Sequence, residues 1–181
     1  VQRGKITLDE LAALIRDEAI DTVVTAVTDM QGRLVGKRVT GSHFLEHCLD
    51  HGTHFCTYLL ATDMDLNTPD GFASMNWETG YGDYLARPDW STLRMIPWLE
   101  KTALVLCDTV DEASDQLIEV APRTILQRQA ERAQAMGFTP NMATELEFYV
   151  FRETFDSAKA RNYQDLERFG WYNEDYRHRL S

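Results

Sequence analysis

The sequence predicts an α+β fold, and three observations predict it. A short amphipathic helix with its own start signal opens the chain. A compact antiparallel hairpin follows it. Further helical and strand patterns then interleave without the regular strand–helix–strand spacing of a parallel sheet.

Each element has a local reason. Thr7, Leu8, Asp9 and Glu10 form a capping box, in which Thr7 caps and Glu10 reaches back. Leu8, Leu11, Ile15 and Ala19 continue at helical spacing, so a helix is expected to about Ala19. Residues 22–28 are rich in strand formers, and Asp29, Met30, Gln31 and Gly32 read as a turn. Residues 33–39 read as the returning strand. Ser42 is expected to cap a second helix running to about His51, and Gly52 to stop it. Residues 54–60 read as another strand. Residues 62–82 form the longest irregular stretch, of the kind that is usually functional or disordered in a compact domain. A short strand is expected at 84–86, then a turn at Arg87, Pro88 and Asp89, then a continuous apolar strand at 103–108. Pro122 suits the first position of a helix that Gly137 stops. A strand is expected over 142–151. A domain boundary is expected near 111–121, at the charged loop 111–115, dividing residues 1–110 from 111–181.

Composition narrows the classes of function. Hydrophobic residues make up 44% of the 181, enough for a packed core. The formal net charge is −11, which repels polyphosphate backbones and argues against a nucleic-acid partner. Cys48, Cys56 and Cys107 are widely spaced, as free thiols in a reducing compartment would be. No apolar run reaches the roughly 18 residues of a membrane span, and Val1 to Lys5 precede no signal-peptide core. A cytoplasmic protein with no membrane partner is expected.

The sharpest chemical feature is Thr144, Glu145, Leu146, Glu147 and Phe148. In a strand, side chains two apart share a face and stand roughly 6.6 Å apart. Glu145 and Glu147 would then point one way, and Leu146, Phe148 and Val150 the other. The two carboxylates repel, and no Lys or Arg lies between Met142 and Phe151 to relieve them. Mg²⁺ or Mn²⁺ would relieve them, and a solvated strand face is the alternative. An acid–base pair of the glycosidase kind fits poorly, because such carboxylates flank the bond being cut. His43, Glu46 and His47 match the H-x-x-E-H pattern of one class of zinc peptidases. A partly exposed helix face explains the same residues, and no downstream ligand is marked. The glycines form neither a dinucleotide fingerprint nor a P-loop.

Several segments, in order, resemble the glutamine synthetase family. Residues 27–37 look like the hairpin of its N-terminal domain. Pro88, Asp89, Trp90, Ser91, Thr92, Leu93 and Arg94, then Pro97 and Trp98, resemble its Pro-Asp-x-Ser-Thr-Leu-Arg segment. Residues 105–108 fit the next stretch, with Ala121, Pro122 and Arg123 heading a helix. Residues 143–151 look like its Glu-x-Glu-Phe strand. The resemblance runs over about residues 7–151.

The resemblance implies a β-grasp domain up to about residue 110 and the start of a catalytic domain after it. It implies ATP-dependent joining of glutamate to ammonia or a small amine through a γ-glutamyl phosphate, with Mg²⁺ or Mn²⁺. Glu145 would hold the ion nearer the nucleotide phosphates and Glu147 the ion nearer the glutamate carboxylate. It implies a homo-oligomer for the full-length parent. Its other metal ligands and phosphate-binding arginines lie beyond residue 151, so residues 1–181 alone are expected to be inactive.

One departure bears on the substrate. Ammonia-using members carry an Asp-Gly-Ser-Ser stretch whose Asp binds ammonium. Cys56 stands where that Asp would lie, and an un-ionised thiol offers a cation little. An organic amine is the expected acceptor, with Cys56 and the nearby Asp63 as candidate amine-site residues. Asp63 and Asp65 lie close enough in sequence to compensate. A non-catalytic assembly or regulatory module of the same family is the other reading.

Overall fold

The computed structural model describes residues 4–73, 75–78, 80–145 and 148–170. Contacts divide the chain into two units, Val1–Thr139 and Pro140–Ser181.

The first unit is mixed α and β, built on one sheet. Helix α1 (Leu8–Arg16) starts on the expected capping box. Thr7 N–H donates to Glu10 Oε2 at 2.7 Å, and Glu10 N–H donates to Thr7 Oγ1 at 3.2 Å. The helix stops three residues before Ala19, because Glu18 turns left-handed at φ 55°. Leu11, fully buried, is the residue that α1 presents to the core.

Strands β1 (Thr22–Thr28) and β2 (Leu34–Thr40) form the expected hairpin, in register from Thr22↔Thr40 to Thr28↔Leu34. Gly36 permits a close approach here, since a Cβ on it would lie 2.1 Å from the Thr25 carbonyl oxygen. The second helical segment spans residues 41–51 as α2 (Gly41–His43), a π-helical turn (Phe44–Cys48) and α3 (Leu49–His51). Its cap is Thr40 rather than Ser42: Thr40 sits extended at the end of β2, and its Oγ1 accepts the His43 amide at 3.4 Å.

Strand β3 (Thr53–Cys56) is shorter than expected, because residues 57–60 wind into a 3₁₀ turn. β4 (Asp83–Pro88) absorbs Arg87 and Pro88 of the residues read as a turn, and Pro88 ends it, where its missing N–H does least harm. A short 3₁₀ turn (Trp90–Thr92) leads to β5 (Arg94–Met95). β6 (Thr102–Asp111) is the ten-residue spine, and β7 (Gln116–Leu117) folds back on its end.

The sheet order is β2-β1-β6-β4-β3, with β5 and β7 also paired to β6. β1 and β6 run parallel, and the other pairs are antiparallel. Alternation along β1 and β6 sorts two cores. Val23, Val27, Ala103 and Val105 join Leu11, Phe44, Phe55 and Tyr84 on the helix side. Ala26 and Leu104 join Ile96 in a thinner cluster. Helix α4 (Pro122–Ala135) begins with Pro122 and ends as the Phe138 amide bonds to the Ala133 carbonyl, with Gly137 at φ 84°.

In the second unit the expected strand over 142–151 is not formed by the described residues. Phe148, Tyr149 and Val150 are exposed, and the segment meets a partner only at its end, in the Phe151↔Arg168 bridge. A strand needs a neighbouring ladder, and among the described residues this segment finds one only at its end, where the Val150 carbonyl accepts the Phe169 amide at 2.8 Å beside that bridge. Helix α5 (Phe155–Ala160) follows, capped by Thr154. Among the described residues no helix is long and apolar enough to cross a membrane.

Candidate functional site

The turn between β1 and β2 is built around one carboxylate. Asp29 is 1% exposed, so its oxygens must be met by protein donors. Oδ1 accepts the backbone amides of Gln31 at 3.0 Å and Arg33 at 2.8 Å, and Oδ2 accepts Arg33 Nε at 2.7 Å. The same residues then reach outward. Arg33 Nη1 donates to the Met64 carbonyl at 2.7 Å, and Arg33 Nη2 to the Asp63 carbonyl at 3.3 Å. Gln31 Nε2 donates to the Thr62 carbonyl at 2.8 Å. Three consecutive carbonyls of the irregular segment are thereby fastened to the hairpin. The forked guanidinium makes this possible, since one lysine ammonium could not span the carboxylate and both carbonyls in a fixed plane.

The fastened loop carries Asp63. Its Oδ1 accepts the amides of Asp65 and Asn67, both at 2.9 Å, and its Oδ2 accepts Asn67 Nδ2 at 2.9 Å. The Asn67 side-chain amide, then the Asn67 backbone amide, hold the Asp63 carboxyl below the usual carboxylate range. Cys56, half-buried, ends β3 opposite Asp83, and the single 3₁₀ turn Thr57–Leu60 lies between it and the Asp63 loop. Both candidate amine-site residues therefore lie on the stretch that leaves β3.

The metal candidates are placed less fully. Glu145 is exposed in a segment without ladder hydrogen bonds, and Glu147 lies outside the described residues. Among the described residues, no three His, Cys, Asp or Glu side chains gather closely enough to hold a metal ion. Among the described residues the zinc alternative also lacks a third ligand. The His43 and His47 rings lie tilted with centroids 4.8 Å apart, but Glu46 and His47 face solvent.

Sequence reasoning gave no role to a second network, which ties α4 to the sheet. Arg123 Nε donates to Asp108 Oδ1 at 2.6 Å, and Arg123 Nη2 pairs with Asp89. Gln127 Nε2 adds a bond to Asp108 Oδ1 at 3.0 Å. Asp89 Oδ1 also accepts Ser91 N–H at 3.0 Å and Ser91 Oγ at 2.6 Å. Burial pushes the Asp89 carboxyl up, but Ser91 and Arg123 outweigh it and leave the group below its ordinary value. A signal was present: a cation in the first turn of a helix opposes the macrodipole unless a carboxylate awaits it. Arg123 sits directly after the N1 proline.

Comparison with known proteins gives a consistent set of relatives. Residues 119–179 match the family model described as "Glutamine synthetase, catalytic domain". The chain is 48% identical over 169 residues to a gamma-glutamylethanolamide synthetase of Streptomyces coelicolor, covering 93% of this chain and 36% of that protein. It is 32% identical over 165 residues to a glutamate–isopropylamine ligase of a Pseudomonas species, covering 91% and 36%. The chain thus spans about a third of the length of these curated relatives. A solved structure described as "GmaS/ADP complex-Conformation 1" superposes with a TM-score of 0.53 at 23% identity. It covers 70% of this chain and 26% of that one, a likeness of fold.

Proposed function

Because the chain belongs to the glutamine synthetase family and spans about a third of its relatives' length, we propose that it forms part of an ATP-dependent glutamate–amine ligase whose acceptor is a small organic amine. One observation carries this reading. The chain is 48% identical, over 93% of its length, to a protein named for making γ-glutamylethanolamide. The second relative is likewise named for an organic amine, isopropylamine.

The chemistry of such a ligase is a two-step acyl transfer. The γ-carboxylate of glutamate takes the terminal phosphoryl group of ATP, so a poor leaving oxygen becomes phosphate. The amine nitrogen then attacks the acyl carbon, phosphate departs, and the nitrogen gives up a proton. Positioning and charge stabilisation do most of this work. Cys56 supports the choice of an organic amine, because a thiol at the amine site does not stabilise an ammonium as a carboxylate does. A neutral site gains instead from apolar contact with the substituent of an organic amine. The Asp29–Arg33 clamp would set where the Cys56–Asp63 stretch lies, and Asp63 would shape that loop.

The division expected from sequence is part of the proposal: residues 1–110 as a β-grasp N-terminal domain, and 111–181 as the start of the catalytic domain. Glu145 and Glu147 are proposed as two carboxylates of a Mg²⁺ or Mn²⁺ site whose other ligands come from the rest of that domain. A homo-oligomer is proposed for the assembled enzyme.

The test is product identification with the intact protein, glutamate, ATP and Mg²⁺. Mass spectrometry is expected to find γ-glutamyl amides of ethanolamine or a similar small amine, formed with release of phosphate. No amide with any amine, from protein that is folded, would overturn the ligase reading and favour an assembly or regulatory module.

A further inference from the structure

A cavity of about 380 Å³ opens between the 3₁₀ turn after β3, the irregular segment and the β7 end of the sheet. Its volume falls in the range of about 300–1,000 Å³ typical of small-molecule sites. Leu60, Met75 and Tyr84, all buried, line it on the inside, and the exposed Leu117 and Val120 line its mouth. Asp111 and Glu119 stand among the lining residues as carboxylates.

Tyr84 is the unusual member. Its side chain is 1% exposed, yet its hydroxyl has no hydrogen-bond partner among the described residues. Leaving a buried hydroxyl unmet forfeits about 1–3 kcal/mol, so such a group in a native fold calls for an explanation. The ring is fixed: Tyr84 lies on β4, pairs with Phe55 across β3, and stacks on the Phe55 ring at 6.1 Å. Burial pushes the phenol well above its ordinary pKa, so it stays a neutral donor and acceptor. None of the polar side chains in the lining, Thr57, Asp111, Ser114, Gln116 and Glu119, meets the phenol.

We propose that this cavity binds a small, largely apolar molecule through one neutral polar head that hydrogen-bonds to the Tyr84 hydroxyl. The apolar lining takes the body of the ligand, and the phenol selects the head. Asp111 and Glu119 disfavour an anion. The site uses residues distinct from Cys56 and Asp63 and does not depend on the ligase reading.

Phenol, benzene and benzoate are the probes, and the readout is the Met75 methyl resonance in the intact protein. Phenol is expected to move it saturably, benzene to bind about fivefold more weakly for want of one buried hydrogen bond, and benzoate not to bind. Tyr84→Phe keeps the ring and is expected to erase the difference between phenol and benzene. Leu117→Trp, at the exposed mouth, is expected to block both, which keeps the test alive if Tyr84→Phe does not fold. An unmoved Met75 methyl at saturating phenol would overturn the proposal. So would equal phenol and benzene binding in the unsubstituted protein. A crystal structure of the intact protein with its own downstream segment or water alone on Tyr84 would do the same.

Discussion

Replacing Asp29 by Asn tests whether one buried carboxylate holds the Asp63 loop. The substituted side chain would keep an oxygen for the Gln31 and Arg33 amides but would set an NH₂ group against Arg33 Nε, now 2.7 Å from Oδ2. The lost interaction is charge-assisted and its carboxylate is 1% exposed, so it belongs with hydrogen bonds worth about 1.5–3 kcal/mol. Arg33 also holds the Asp63 and Met64 carbonyls, so loosening it frees the loop from the hairpin. A loss of about 2 kcal/mol in local opening energy corresponds to roughly 30-fold faster amide exchange. Hydrogen exchange of the intact protein should show this at Asp63, Asp65, Leu66 and Asn67, whose amides bond within the loop. β6 should be unaffected, because its ladder does not involve Asp29. Unchanged exchange in the loop, or equal acceleration throughout the sheet, would refute the clamp.

Three further outcomes follow from named contacts. Arg123→Met removes the donor shared by Asp89 and Asp108 and leaves two carboxylates facing each other; exchange in α4 should rise by at least about tenfold, as breaking a largely buried pair typically costs about 3–5 kcal/mol and these groups are 21–25% exposed. Glu153 is held down to about 2, first by Ser157 Oγ, then by Arg161 and the Glu167 amide. A depressed carboxyl stabilises above its unfolded value near 4.5 and loses that contribution as pH falls toward 2; a carboxyl NMR titration should find the low midpoint, and Glu153→Gln should remove this pH dependence. Burial pushes the Cys107 thiol up to about 12 and raises Cys48 as well, so iodoacetamide on the native protein should label half-buried Cys56 first and Cys107 last, as peptide mapping would show.

What could be read from the sequence was local. The capping box at Thr7 and the hairpin about Asp29 and Gly32 depend on residues within a few positions of each other, and both stand as expected. The strand at 142–151 had the right alternation, but alternation states only a preference. A strand exists where a neighbour takes its hydrogen bonds, and the described residues of that segment find one only at Val150 and Phe151. The π-helical turn at Phe44–Cys48 also left no sequence mark, because it is a single extra residue absorbed inside a helix whose caps still look ordinary. For the candidate site, Cys56 and Asp63 were found through a resemblance, whereas Asp29 was read only as a turn residue and Arg33 only as the start of the returning strand. The reach of Arg33 to the carbonyls of Asp63 and Met64 spans thirty and thirty-one positions, beyond any local pattern.

The central claim concerns the acceptor, and competition tests it most directly. Intact protein with glutamate, ATP and Mg²⁺ would receive ammonium and a panel of small primary amines together, with products resolved by mass. The account predicts an excess of γ-glutamyl organic amide over glutamine, and a shift toward glutamine in Cys56→Asp. Glutamine as the main product of the unsubstituted protein would contradict it.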